Sequence, residues 1–414
     1  MSPPDRRSFL AAAGGLAALL ARPTVLLGQS SAPFKPDTLF LTWHTDPTTT
    51  MVIQWVSDEP DDSGPVVKYH EFFSFGPAVT VTTSVRPFPL SPGMTVFRAE
   101  LTGLRPGTEY AFRIDDRSPT YRFRTMPKKA TDAFTFVSGG DCGVNEHVVN
   151  NNKVAARQDP YFAVIGGDLA YDNGTDPKAT LAWLRNYSST MTDGKGRLIP
   201  MVVCMGNHEV KGGYGKPRTD APLFFALFDG LYPDTTYKAL DFGDYLSLIL
   251  LDTGHVAKID GDQTDWLDKA LKERTERPHL IAVQHVPCYP SFRPADLEGG
   301  KAGTGDLQRK HWVPLYERHS VDLVLEHHDH TFKRTHPLLG GRADKRGVLY
   351  LGDGSWGKLR SAAKAEGRDY IATANTTYHL TVHRLEGEER FHMAVDETGK
   401  IVDVCRTAKK RGLT

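Results

Sequence analysis

The chain has 414 residues, enough for two domains, and its 40% hydrophobic and 24% charged content is that of a soluble globular protein. Lysine plus arginine equals aspartate plus glutamate at 50 each, so the formal net charge is zero. That balance argues against a chain built chiefly to bind nucleic acid or an anionic membrane, but not against a local basic pocket for a small anion.

The first segment, "DRRSFLAAAGGLAALLAR", sets Arg6 and Arg7 before an apolar stretch from Phe9 to Ala21, which Arg22 ends. This is the layout of an export signal, with an apolar core too short for a membrane span, and it is assigned to residues 1–30. Paired arginines followed by Ser-Phe-Leu resemble a twin-arginine signal, which implies a periplasmic or extracellular destination. The mature chain is expected to hold no membrane span. Four cysteines, Cys142, Cys204, Cys288 and Cys405, show no Cys-x-x-Cys spacing. The first three lie near motifs described below and read as small buried side chains rather than ligands.

Residues 36–127 alternate short β-rich runs with Pro, Gly, Asp and Ser clusters. Seven strands are predicted, in "FLTWHTD", "TMVIQWVSD", "VVKYHEF", "VTVTTSV", "TVFRAEL", "EYAFRID" and "TYRFRTM". Short strands without helical periodicity predict a β-sandwich. "ELTGLRPGTEYAFRI" resembles the corner of a fibronectin type III domain, which implies that the Tyr110 hydroxyl ties the corner down. Nothing in this segment offers catalytic chemistry, so it reads as a scaffold or lid support.

After a linker at "PKKATDA" the rhythm changes. Over residues 132–404, apolar strands such as "AFTFVSGG", "YFAVIGG", "LIPMVVCMG", "YLSLILLD", "HLIAVQH", "VDLVLEH" and "GVLYLGD" alternate with helical patterns such as "QTDWLDKALKERTE" and "QRKHWVPLYERH". Near-continuous apolar strands with helices between them predict an α/β domain whose sheet is covered on both faces. The tail from Tyr378 returns to strand alternation, which would finish a second sheet.

Five of those strands release polar residues within a few positions of their carboxyl ends: Asp141, then Asp168 and Tyr171, then Asn207, His208 and Glu209, then His285, and last His328 and His330. In an α/β sheet such ends share a rim where ligands bind. Carboxylate, phenol, amide oxygen and imidazole make a mixed O/N set suited to iron, manganese or zinc. Seven such donors are too many for one catalytic metal with an open position. Two metals about 3.5–4 Å apart can clamp both oxygens of an in-line displacement at phosphorus.

"GDCG", "GDLAY", "GNHE", "QHVP" and "HDH" appear in the order of the metallophosphoesterase blocks, and Tyr171 after the second block makes the chain resemble purple acid phosphatase. "DQTDWLDKAL", "PCYPS", "VDLVL", "RTHP" and "YLGDGSWG" extend the resemblance over nearly the whole mature chain. It implies a calcineurin-like double β-sheet sandwich flanked by helices, preceded by the fibronectin III-like domain. Asp141, Tyr171 and His330 would hold an Fe(III); Asn207, His285 and His328 an Fe(II), Zn(II) or Mn(II); Asp168 would bridge. His208 would contact substrate and pass a proton to the leaving oxygen, and Glu209 would orient its neighbours. The implied activity is hydrolysis of a small-molecule phosphomonoester by metal-bound hydroxide, with a phosphodiesterase or nucleotidase as the alternative in the same chemistry. Iron-based, peroxidase-like turnover is the alternative of another class.

The match departs from the family at two places. His327 stands where the family has glycine before His-x-His, and is either a satisfied loop histidine or an added substrate contact. The loop after His285 lacks the histidines of plant members, which leaves Arg293, Lys301 or water to meet the phosphate. Phe332 replaces a frequent tyrosine as a packing residue, and His311 falls in a helical pattern and reads as structural.

Overall fold

The structure, a computed structural model, describes residues 34–58, 64–74, 76–297, 301–352 and 354–410. The export-signal segment lies outside the described residues. None of the helices described is long and apolar enough to cross a membrane.

The first domain contains β1 (Phe40–Thr42), β2 (Met51–Ser57), β3 (Val66–Glu71), β4 (Val79–Thr82), β5 (Ser84–Pro87), β6 (Thr95–Leu101), β7 (Glu109–Ile114) and β8 (Tyr121–Arg124). They form two four-stranded sheets, ordered β1-β2-β6-β5 and β4-β3-β7-β8. Inward residues such as Trp55 and Phe97, stacked at 5.3 Å, fill the space between them. The run "VTVTTSV" is two strands rather than the single one predicted. The chain changes sheets at Thr83, whose hydroxyl donates to the Pro65 carbonyl at 2.7 Å. Uniform β-branching at an exposed edge carries no mark of such a switch. At the corner before β7 the Arg105 N–H donates to the Tyr110 hydroxyl at 2.8 Å.

The second domain opens with β9 (Phe134–Gly139), α1 (Glu146–Ala156), β10 (Ala163–Ile165), α2 (Pro177–Thr190) and β11 (Met201–Val203). Next come α3 (Pro222–Phe228), β12 (Lys238–Phe242), β13 (Leu246–Leu250), α4 (Asp262–Lys272) and β14 (His279–Val283). A short ladder of β15 (Asp296–Leu297) and β16 (Lys301–Ala302) precedes α5 (Asp306–His311), α6 (Val313–Arg318), β17 (Leu323–Glu326) and β18 (Phe332–Thr335). A second short ladder, β19 (Leu338–Leu339) and β20 (Arg342–Ala343), leads to β21 (Leu349–Gly352) and β22 (Ile371–Asn375). The long strands β23 (His379–Glu386), β24 (Glu389–Asp396) and β25 (Ile401–Ala408) end the described chain.

These strands build two packed sheets, ordered β11-β10-β9-β23-β24-β25 and β12-β13-β14-β17-β21-β18-β22. The tail therefore extends the sheet that β9 begins, β23 pairing antiparallel to it. In the seven-stranded sheet Leu248, Leu250, Ile281, Val283, Leu323 and Leu325 point into the main core. Their alternates Ile249, Leu280, Ala282 and Val324 pack with Leu267, Leu271, Trp312 and Tyr316 of the helical layer. Burial on both faces is why these strands read as continuous apolar runs. α1 and α2 start at side-chain caps, Asn145 and Asp176, the latter followed by Pro177. The helical pattern around Trp312 breaks into α5 and α6, with Pro314 in the first turn of the second.

The sandwich is joined to the second domain by a continuous core in which Trp43 packs edge-on to Phe162 and Phe242 at 5.9 and 5.8 Å. Beside it, Arg86 and Arg98 both pair with Asp229. Burial would raise the Asp229 carboxyl, but the two guanidiniums hold it down to about 2. A depressed folded pKa means the stabilisation is complete above about pH 4 and is lost as pH falls toward 2. With 34% of the side chain open to solvent, about 1 kcal/mol is expected. Denaturant unfolding of wild type and Asp229→Asn at pH 6 and pH 2.5 checks this: the gap between the two proteins should close at the lower pH.

Candidate metal centre

Parallel strands β9, β10 and β11 end together, and so do parallel β13, β14 and β17 in the facing sheet. The expectation of one shared sheet rim is corrected here: Asp141, Asp168, Tyr171 and Asn207 follow strands of one sheet, and His285, His328 and His330 follow strands of the other. Apolar strands of this kind fit either a single two-face-covered sheet or a pair of stacked sheets. The donors meet over the seam.

Seven side chains predicted from sequence converge there. The ligand atoms of Asp168, His285 and His328 lie within 4.8 Å of one another, as do those of Asp141, Asp168 and His330, so Asp168 belongs to both groups. The Tyr171 hydroxyl is 3.3 Å from Asp141 Oδ1 and 3.0 Å from His330 Nε2. Asn207 Oδ1 is 3.1 Å from His285 Nε2, which is itself 3.0 Å from His328 Nδ1. His285 Nδ1 is turned to the Gly166 carbonyl at 2.9 Å, which leaves Nε2 facing the other donors.

The backbone is strained where these side chains emerge. Of ten described non-glycine residues with positive φ, five are Asp141 (57°), Asp168 (53°), Tyr171 (61°), His328 (78°) and His330 (61°), and a sixth is Asn173 (53°). A tyrosine or histidine held in the left-handed region costs about 1 kcal/mol or more and persists only where its surroundings over-determine it. Gly354 supplies the room: a Cβ there would stand 1.6 Å from Asp141 Oδ2.

The electrostatics fit cations. Burial opposes ionisation of Asp168, yet His285, His208 and His328 hold its carboxyl well below the usual carboxylate range. Burial alone would lower His285, but Asp168 lifts it to about 9. Asp168 Oδ2 is buried with no hydrogen-bond partner. Burial and the Asp141 and Asp168 charges drive the Tyr171 hydroxyl far above its ordinary value, so phenolate forms there only against a cation. Two buried carboxylates, an orphaned carboxylate oxygen and an oxygen/nitrogen donor set are what a pair of hard-to-borderline metal ions needs.

His208 projects beside this cluster, its ring 4.2 Å from that of Tyr171. Its Nδ1 is 2.5 Å from Asn173 Oδ1, and its Nε2 is 3.9 Å from Asp168 Oδ2. Burial lowers its pKa. Glu209 is buried behind the site and accepts the backbone N–H groups of Asp168, Leu169 and Gly206 at 2.7–2.8 Å. Burial and the nearby Asp168 and Asp172 push its carboxyl up to about 8.

His327 is buried, its Nδ1 2.9 Å from the Gln284 carbonyl, with its ring packed against Gly140 and Gly166. Of its two readings, the satisfied loop histidine is the one observed. Cys142, Cys204 and Cys288 are buried and free. Phe332 is buried edge-on to His379, and His311 ends α5. Arg293 reaches the His328 carbonyl at 3.2 Å and lies 3.4 Å from Asp329 Oδ1, whereas the Lys301 side chain is outside the described residues.

Four residues at the site escape the sequence reading. Lys358 sits 4.3 Å from the Tyr171 ring centroid, and the Arg360 N–H donates to the His330 carbonyl at 2.7 Å, its guanidinium lying over Phe292. Both follow "YLGDGSWG" directly, and that adjacency was the available signal. Tyr214 and His255, whose rings lie 4.8 Å apart, wall the His328 side, His255 arriving after β13, a sixth strand.

With this geometry in hand, comparison with known proteins places the chain. The purple acid phosphatase N-terminal domain model matches residues 36–125, and the calcineurin-like phosphoesterase model matches residues 140–332. The chain belongs to the purple acid phosphatase-like metallophosphoesterases. Purple acid phosphatase 21 of Arabidopsis thaliana is 24% identical over 282 residues, 65% of this chain and 60% of its own length. Purple acid phosphatase 13 of the same plant is 24% identical over 64% of this chain and 55% of its own length. The chain thus spans little more than half the length of these plant metallophosphoesterases. An uncharacterized protein of Mycobacterium tuberculosis is 26% identical over 79% of this chain and 68% of its own length. In fold, the chain matches a purple acid phosphatase from yellow lupin (Lupinus luteus) seeds with a TM-score of 0.71 at 16% identity, over 92% of this chain and 75% of that one.

Proposed function

We propose that the protein is an exported phosphomonoesterase that works with a binuclear metal centre. The observation that carries this is the pair of buried donor groups sharing Asp168 over the seam of the two sheets. Asp141, Tyr171 and His330 would hold one ion, an Fe(III) for which the phenol is the natural donor. Asn207, His285 and His328 would hold the second, an Fe(II), Zn(II) or Mn(II), with Asp168 common to both. Such a pair of cations supplies Lewis-acid charge to the phosphoryl oxygens and makes water a nucleophile at modest pH.

The chain's own residues account for the remaining work. Arg293, Lys358 and Arg360 ring the donors and offer positive charge to a phosphoryl dianion, in place of the histidines missing after His285. Asn173 fixes the His208 ring so that Nε2 faces the shared carboxylate, where a charged imidazole can hand its proton to the departing oxygen. Glu209 clamps three backbone N–H groups and so sets the turn that carries Asp168. The arginine pair near the start of the sequence supports export by the twin-arginine route. The substrate is a small phosphate ester.

Metal analysis with a visible spectrum of the purified protein tests this. Two ions per chain and a tyrosinate-to-iron band are expected, and Tyr171→Phe should abolish the band. A colourless wild type with full hydrolytic activity would remove Fe(III) from the proposal. Activity without any bound ion would remove the mechanism altogether.

A further inference from the structure

On the His328 side of the centre a cavity of about 360 Å³ opens, walled by Tyr214, Ile259, Val286, Pro294 and Leu307, with Gln308 among its lining. His328 belongs both to this wall and to the donor cluster, so the cavity adjoins the place where a phosphoryl group would sit. Tyr214 brings an aromatic face, its hydroxyl 3.4 Å from His328 Nε2. Gln308 is only 3% exposed, yet its carboxamide has no hydrogen-bond partner among the described residues. Its amide is therefore open to the cavity rather than sealed in the core, and a free donor and acceptor on a cavity wall next to a reactive centre are placed to meet a ligand. No described lysine or arginine lines the cavity, and its single carboxylate, Asp306, is already tied to Arg309 and to the Gly303 N–H. The cations of the site are not among the lining residues: Lys358 lies over the Tyr171 ring, the Arg360 guanidinium over Phe292, and Arg293 donates to the His328 carbonyl from outside the lining.

We propose that this cavity receives the leaving group of the ester, and that it selects a planar, uncharged group with a hydrogen-bonding edge, the chemistry of a nucleoside, over a polyanionic one. The assignment rests on the phosphoesterase reading and adds the substrate class to it. An aromatic base packs its face on Tyr214 and its apolar rim on Ile259, Val286 and Leu307. Its polar edge pairs with the donor and acceptor of Gln308, and a site built to hydrogen-bond one edge discriminates strongly against a leaving group that lacks it. A second phosphate would enter an apolar wall with no cation to meet it.

The test compares kcat/KM for adenosine 5′-monophosphate, phenyl phosphate and inorganic pyrophosphate in the metal-replete wild type, Gln308→Leu and Leu307→Lys. Wild type should favour the nucleotide over pyrophosphate by at least tenfold. Gln308→Leu should cut the ratio of nucleotide to phenyl phosphate about tenfold. Leu307→Lys, at a position 47% exposed where folding is not at risk, should shift the preference toward pyrophosphate. Adenosine binding to the purified full chain, followed by saturation-transfer NMR, gives a readout apart from turnover and should weaken in Gln308→Leu. Equal turnover of pyrophosphate and nucleotide by wild type, or a loss in Gln308→Leu that is the same for phenyl phosphate, overturns the proposal. Should wild type hydrolyse no phosphate ester, the phosphoesterase reading falls. Adenosine binding that Gln308→Leu abolishes would then still uphold the ligand class of the cavity, and its absence would overturn that as well.

Discussion

Asp168→Asn should lose both metal ions together and about a thousandfold in kcat/KM, while the apoprotein keeps its fold. The geometry explains why one atom change reaches so far. Asp168 is the single residue common to both donor groups, so each would lose a charged ligand at once. A thousandfold is about 4 kcal/mol of transition-state stabilisation, within what two ions supply at developing phosphoryl charge. The fold should survive because only Oδ1 of Asp168 accepts a backbone hydrogen bond, from the His208 N–H at 2.8 Å, and an asparagine carbonyl can keep it. The new amide then occupies the place of Oδ2, which has no partner to lose. His285 reports the missing charge independently: the carboxylate lifts it to about 9, and in the metal-free variant its titration should move down. Chelation gives the matching stability measurement. Removing ions held at a thousandfold excess over Kd forfeits about 4 kcal/mol per site, so chelator should lower the wild-type unfolding midpoint by roughly 10 °C and that of Asp168→Asn very little. Unchanged metal content in the variant would show that the donor groups are not shared as the distances indicate.

What could be read in the sequence was what lies close along the chain. Each donor follows its own apolar strand within a few residues, so the strand-end pattern and the order of the five blocks were visible in one dimension. Pairing across the chain was not. Whether β14 and β17 share a sheet with β9 and β10 depends on ladders between distant segments, such as that of β9 with β23, and apolar runs look alike in either arrangement. The same reason hides the cavity, whose walls come from Tyr214, Ile259 and Val286 on three separate loops and Leu307 on α5. Backbone strain was hidden as well: nothing in "GDLAY" announces that Asp168 and Tyr171 both have positive φ, since sterics alone would place such residues elsewhere. Lys358 and Arg360 carry no mark of the site in the sequence beyond their adjacency to "YLGDGSWG", since a basic pair after a Gly-rich turn is ordinarily a solvated loop.

His327, the clearest departure from the family pattern, yields the largest stability effect expected of a single substitution. Gly166→Ala should destabilise the protein by about 4 kcal/mol, because the added Cβ would lie 1.8 Å from His327 Cε1, and the ring is also held against Gly140. Gly166 is not among the positive-φ residues, so alanine meets no backbone penalty there and the whole effect is steric. His327→Ala alone should cost about 2–3 kcal/mol, from the cavity and from the contact of Nδ1 with the Gln284 carbonyl. In the double variant the added methyl enters the space the imidazole vacated, and Gly166→Ala should then cost under about 1 kcal/mol. Equilibrium denaturation of the four proteins at one fixed metal concentration measures the coupling, expected near 3 kcal/mol. Simple additivity would mean that the ring is free to swing away from the glycines. Strong coupling with an unaltered KM would mark His327 as a wedge between the two sheets, since a histidine touching substrate would change KM whatever stands at position 166.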